Sequence, residues 1–193
     1  SLLARAAALR QSLVRLGLSK YNVGNQTPAA LGGQPGQRRV LVVGQVENDA
    51  SLRLGAPGIH NNRALLAAAR AAYPDDWLIY KPHPDTEAGA RPGRIAPHKA
   101  LQYADQVVTE TSITRLFPEV QQLCTMTSLA GFEALLRDVP VHTWGLPFYA
   151  GWGLTRDELA LPRRARRLCL DALVAATLIQ YPRYRHPVHG GPC

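Results

Sequence analysis

The chain has 193 residues, 46% of them hydrophobic and 19% charged, and its 22 basic against 14 acidic side chains give a formal charge of +8. A chain of this length can bury a core without disulfide staples, so a disordered tail, a collagen-like repeat and a disulfide scaffold are excluded. No apolar run approaches the ~20 residues of a membrane span, and with Arg5 and Arg10 interrupting its apolar pattern the N-terminal stretch is not expected to be a signal peptide.

Three widely separated cysteines, Cys124, Cys169 and Cys193, form no Cys-x-x-Cys pair and are accompanied by no His pair at zinc spacing. They point to a reducing compartment and to no structural metal. The chain opens on Ser1 rather than Met, as expected of a piece of a longer protein. All but three of the basic residues (Lys20, Lys81 and Lys99) are arginine, densest at Arg163, Arg164, Arg166 and Arg167 and followed by Arg183 and Arg185. Such a cluster can meet phosphate, nucleic acid or anionic lipid, or be a solvated face. Nucleic acid is disfavoured, because no aromatics interleave with the run and no reading motif accompanies it.

In chain order, Leu2, Leu3, Ala6, Leu9, Leu13 and Leu16 fall at helical spacing and stop at Gly17, which predicts an amphipathic helix over 2–17. The stretch 19–37 is rich in Gly, Pro, Asn and Gln and reads as a linker. Residues 1–37 are thus expected to be an N-terminal helix and linker, and 38–193 the folded domain. Arg39-Val-Leu-Val-Val-Gly44 is a short β-branched run of the kind buried on both faces of a parallel sheet. Helices are then expected at 59–73, 97–104, 113–120, 128–137 and 170–179. They alternate with strands at 77–80, 106–109, 122–126 and 141–144, and a loop rich in glycine and aromatics precedes the last helix. This alternation predicts βαβ units: an α/β, Rossmann-like parallel sheet with helices on both faces. In such sheets the ligand lies beyond the carboxyl ends of the strands, where the strand order reverses.

The residues just after each strand therefore carry the chemistry. After the first strand, Gln45-Val-Glu47-Asn-Asp49-Ala-Ser51 offers two carboxylates, each able to serve as nucleophile, general base or ribose ligand, or to belong to a turn. After the second, Lys81-Pro82-His83-Pro84-Asp85 presents one histidine between two stiffening prolines, suited to a phosphate contact or a proton transfer. After the strand ending at Met126, Thr127 and Ser128 stand at a helix start, where hydroxyls and free N–H groups favour an anion, and Glu133 lies farther along the same helix. The segment Pro147-Phe148-Tyr149-Ala-Gly151-Trp152-Gly153-Leu154-Thr155 either closes over a ligand or plugs the core.

Together with Ser19-Lys-Tyr-Asn-Val-Gly24 and Tyr181-Pro-Arg-Tyr184, these segments resemble the bacterial capsule polysaccharide biosynthesis family, specifically its retaining β-Kdo transferases. The resemblance runs over nearly the whole chain, and its most specific piece is Phe148-Tyr-Ala-Gly-Trp-Gly153. It implies the C-terminal, donor-binding half of a GT-B glycosyltransferase that moves β-Kdo from CMP-Kdo onto a lipid-linked Kdo acceptor in the linker of capsular polysaccharide. Carried over position by position, His83, Thr127 and Ser128 would hold the CMP phosphate, with Lys81 beside them in the Lys-Pro-His-Pro stretch, and Glu133 would hold the ribose. Asp49 would be the nucleophile, with Glu47 as the reserve choice. The donor is the only small molecule implied, with no metal and no further cofactor. Since only one helix and a linker precede the first strand, an N-terminal acceptor domain is expected to be missing. The lipid acceptor implies a cytoplasmic protein, peripheral at the inner membrane and in contact with an anionic surface. Two other readings stay open, a sugar-nucleotide epimerase on the same fold and a non-catalytic basic module for anionic membrane or polysaccharide.

Overall fold

A computed structural model of the chain describes residues 1–20 and 30–184. Tyr21 to Gly24 of the Ser19–Gly24 stretch, Arg185 and Cys193 lie outside the described residues.

The first helix, α1 (Leu2–Arg15), starts under a Ser1 cap, and the chain turns away at Gly17, whose φ of 62° suits a residue without a side chain. Strand β1 (Arg39–Val43) is followed by a short helix α2 (Ala50–Gly55), helix α3 (Asn62–Ala72), strand β2 (Trp77–Lys81) and two four-residue helices, α4 (Pro84–Glu87) and α5 (Pro97–Ala100). Next come β3 (Gln106–Val107), α6 (Ile113–Leu116), β4 (Gln122–Thr125), α7 (Leu129–Leu135), β5 (Val141–Thr143), β6 (Arg156–Asp157) and α8 (Leu170–Val174), the last continuing in a wider helical turn to Gln180.

All strand pairings are parallel, in the order β3-β2-β1-β4-β5-β6. The α/β, Rossmann-like expectation therefore holds. Apolar side chains alternate between the two faces of the sheet: Val40, Val42, Leu78 and Tyr80 pack with Leu65, Leu66 and Ala69 of α3, while Leu41, Val43, Ile79 and Leu123 pack with Ala6, Phe132 and Leu173 of the helices on the other side. Burial on both faces is the reason the strands read as unbroken apolar runs. Helix α1 packs against α8, so the first and last helices described share one layer.

Several elements differ from expectation. The helix foreseen over 113–120 breaks after Leu116 into a tighter turn at Phe117–Glu119, because Pro118 has no N–H to donate. The helix foreseen over 97–104 closes at Ala100. Helices α2 and α4 and strand β6 were not foreseen, being too short for any periodicity to show.

Candidate active site

Strand order reverses between β1 and β4, the place where a doubly wound sheet opens a crevice. A cavity of about 500 Å³ occupies it. Ser128 and Thr127 come to it from the end of β4, Asp49 and Ser51 from beyond β1, and Lys81 and His83 from the end of β2.

The crevice is held open by a buried polar brace. Gln45 donates from Nε2 to Thr127 Oγ1 at 2.9 Å, while its Oε1 accepts from the Thr127 backbone N–H at 2.8 Å and from Thr125 Oγ1 at 3.3 Å. Its own backbone is matched by Asn62, whose Oδ1 accepts from Gln45 N–H at 2.8 Å and whose Nδ2 donates to Gln45 carbonyl at 2.8 Å. A satisfied network of this kind fixes the gap between the two strand ends. Gly44, just before it, leaves room for Tyr80, since a Cβ there would stand 2.6 Å from the phenol oxygen. Sequence reasoning did not single out Gln45 for this role; its one signal was its place as the first polar residue after β1.

Asp49 begins α2 at a capping position, yet its carboxylate makes no capping bond and lines the cavity. Glu47, two residues earlier, goes elsewhere. Its Oε1 accepts the backbone N–H of Asn62 at 2.8 Å, and it lines a separate groove with Arg63, Arg94 and Lys99. Of the two carboxylates expected here, the structure brings only Asp49 to the cavity.

His83 caps α4: its Nδ1 accepts the Asp85 N–H at 3.2 Å, which in the neutral ring leaves the proton on Nε2. Burial pushes its pKa below the ordinary value; Asp85 opposes the shift, Lys20 adds to it, and Asp49 and Arg91 make smaller, opposite contributions. Lys81 is buried and donates from Nζ to the Thr109 carbonyl, tying β2 to the end of β3. Burial pushes its pKa down to about 8, with Glu87 opposing.

Ser128 Oγ accepts the Ala130 N–H at 3.2 Å and Thr127 Oγ1 accepts from Gln45 Nε2; a hydroxyl that accepts one bond still has a proton to donate. Glu133 reaches the cavity wall, but its two oxygens accept from Lys20 N–H at 2.7 Å and Ser19 hydroxyl at 2.9 Å. Ser19, Lys20 and Glu110 also line the cavity and were not named as site residues from the sequence.

The glycine and aromatic segment is mainly wall. Tyr149 is fully buried and donates to the Ser128 carbonyl. A Cβ on Gly131 would clash with its hydroxyl, so the glycine lets α7 close on the tyrosine. Phe148, packed edge-on against Phe132 at 5.1 Å, exposes its ring to the cavity. Arg164 donates to the carbonyls of Pro147 at 2.6 Å and Ala150 at 2.7 Å and lies over Trp152. That member of the basic cluster thus braces the loop instead of facing an external anion.

Sheet order and the cavity at the strand reversal define a Rossmann-like fold with a ligand crevice, and likeness to two solved chains makes it the fold of a GT-B glycosyltransferase domain. The β-Kdo 2,4 transferase of Thermosulfurimonas dismutans KpsC matches with a TM-score of 0.86 at 34% identity, covering 100% of this chain and 60% of that one. The β-Kdo 2,7 transferase of the same KpsC matches at 0.84 and 33%, covering 100% of this chain and 58% of the other.

The family described as capsule polysaccharide biosynthesis protein matches residues 13–184, and the chain belongs to it. The capsule polysaccharide modification protein LipA of Neisseria meningitidis serogroup B is 49% identical over 182 residues, which are 94% of this chain and 26% of LipA. The lipopolysaccharide-processing protein LpsZ of Rhizobium meliloti is 40% identical over 184 residues, 95% of this chain and 42% of LpsZ. The chain therefore spans about a quarter of the length of LipA and about two fifths of that of LpsZ. Among the described residues no helix is long and apolar enough to cross a membrane.

Proposed function

We propose that this chain is the donor-binding part of a retaining β-Kdo transferase, which takes the sugar from CMP-Kdo and, with an acceptor-binding part, places it on a lipid-linked Kdo of capsular polysaccharide at the inner membrane surface. The observation that carries the reading is the uncapped carboxylate of Asp49 in one cavity with Lys81, His83 and Ser128. A cavity of about 500 Å³ is of the size that takes a nucleotide, and the likeness to two Kdo transferases supports the sugar.

The chemistry is a double displacement. An Asp49 oxygen attacks the anomeric carbon of Kdo as its bond to the CMP phosphate oxygen breaks, and the electron pair leaves with CMP. Phosphate is a good leaving group and needs no proton, so the enzyme's task is to stabilise the charge it gains. The His83 N–H, the Ser128 and Thr127 hydroxyls and the Lys81 ammonium supply that stabilisation. An acceptor hydroxyl then attacks the same carbon, the bond to Asp49 breaks, and two inversions leave the configuration retained. The hydroxyl proton passes to a base outside this set. Lys81, charged below its pKa of about 8, requires no metal to assist it in this scheme.

Calorimetric titration of CMP into the chain tests donor binding; no binding would overturn the reading. In the longer enzyme, Asp49→Ala lowers transfer by about 10³-fold or more, as loss of a nucleophile does, with CMP affinity within about threefold. Retained transfer would refute the assignment of Asp49.

A further inference from the structure

The segment beyond α1 is held on α7 by side chains more than a hundred positions away. Glu133 takes the Lys20 N–H and the Ser19 hydroxyl, and Arg137, one turn on, donates from Nη2 to the Leu18 carbonyl at 2.9 Å and from Nη1 to the Glu133 carbonyl at 3.0 Å. Arg137 itself is seated over Phe117 at 5.2 Å. Three consecutive residues, 18–20, are thereby fastened through backbone carbonyl, hydroxyl and backbone N–H. An exposed connection satisfies such groups with water, so a buried carboxylate and a guanidinium devoted to it call for a reason.

The reason lies in what the fastening delivers. Ser19 and Lys20 line the same cavity as His83, Ser128 and Asp49. We propose that Lys20 is a phosphate-binding residue of this cavity, and that Glu133 and Arg137 are positioning residues that hold its segment over the donor. The inference rests on the nucleotide-donor reading above and adds to it a residue and a mechanism of placement. An ammonium is a compact charge with three donors, and in the cavity that His83 and Ser128 also line it adds a cation to a set suited to a tetrahedral anion. The charge of Lys20 is felt at His83, where it helps to hold the imidazole neutral. A carboxylate has about four lone-pair sites, so Glu133 can fasten the segment and still accept from a ribose hydroxyl.

The test compares CMP, which has the phosphate, with cytidine, which lacks it. Calorimetry on the chain is expected to show Lys20→Met weakening CMP about tenfold, the scale of one charged hydrogen bond, with cytidine changed by less than about twofold and Lys20→Arg restoring most of the loss. Arg137→Met should weaken CMP in the unaltered background and add nothing in the Lys20→Met background, since the two act through one contact. Ser19→Ala is a second, milder release of the segment, useful where Arg137→Met melts early. Lys20→Met without effect on CMP, an equal loss for cytidine, or additive losses in the double variant would overturn the inference while leaving donor binding intact. Failure of the unaltered chain to bind CMP would overturn both.

Discussion

Two polar regions of this molecule are built from similar residues and differ in access. At the strand reversal, His83 and Asp49 border a cavity. Between β5 and α3, His142 is wholly buried: its Nδ1 meets the Tyr73 hydroxyl at 3.0 Å, its Nε2 meets Glu158 at 2.7 Å, and its ring lies 3.8 Å from that of Trp144. Burial lowers the pKa of both histidines, with a carboxylate opposing in each case. A depressed pKa therefore does not distinguish a site from a structural pin. The distinction is access: His142 is closed in between Tyr73 and Glu158, whereas His83 stands at the edge of a space a ligand can enter.

Truncation should separate the two most sharply. His142→Ala leaves a void and strands the Tyr73 hydroxyl, a loss of about 3 kcal/mol of stability, with CMP affinity unchanged per folded molecule. His83→Ala removes a helix cap worth about 1 kcal/mol and weakens CMP about tenfold. Urea denaturation paired with calorimetry measures both, and a weakened CMP affinity in His142→Ala would erase the contrast.

Gly131→Ala is expected to destabilise by about 2 kcal/mol, because the new methyl would clash with the Tyr149 hydroxyl. The sign opposes helix propensity, which favours Ala over Gly by about 1 kcal/mol. A thermal melt decides between them, and Gly131→Ala should cost less when introduced into a Tyr149→Ala background than into the unaltered chain.

The smallest effect is electrostatic. Lys81 is charged below its pKa of about 8 and neutral above it, so raising the pH from 7 to 9 removes a cation from the cavity. CMP affinity should fall severalfold over that interval, and Lys81→Met should flatten the profile. A profile equally steep in Lys81→Met would assign the titration to another group.

The β-branched run of β1, the spacing of apolar residues in α1 and α3, and the regular alternation were enough to read a parallel sheet, because burial on two faces imposes a pattern on neighbouring residues. Asp49, His83 and Ser128 were legible for a related reason: residues just past the ends of such strands face the crevice wherever the order reverses. Their local neighbours say nothing about direction. That Asp49 turns into the cavity while Glu47 caps the approach to α3 follows from Asn62 standing where it does.

The short elements α2, α4 and β6 escaped because four to six residues, or two for β6, show no period. Gln45 as a brace, Tyr149 as a pin under Ser128 and the fastening of Lys20 by Glu133 each depend on a partner brought close only by folding, the last across 113 positions of chain. The sequence by itself determined the layers and the ends at which chemistry gathers, since periodicity and turn residues are local properties. Which polar groups open to a ligand and which close on one another was decided by tertiary structure alone, because access and hydrogen-bond satisfaction are properties of residues distant in sequence.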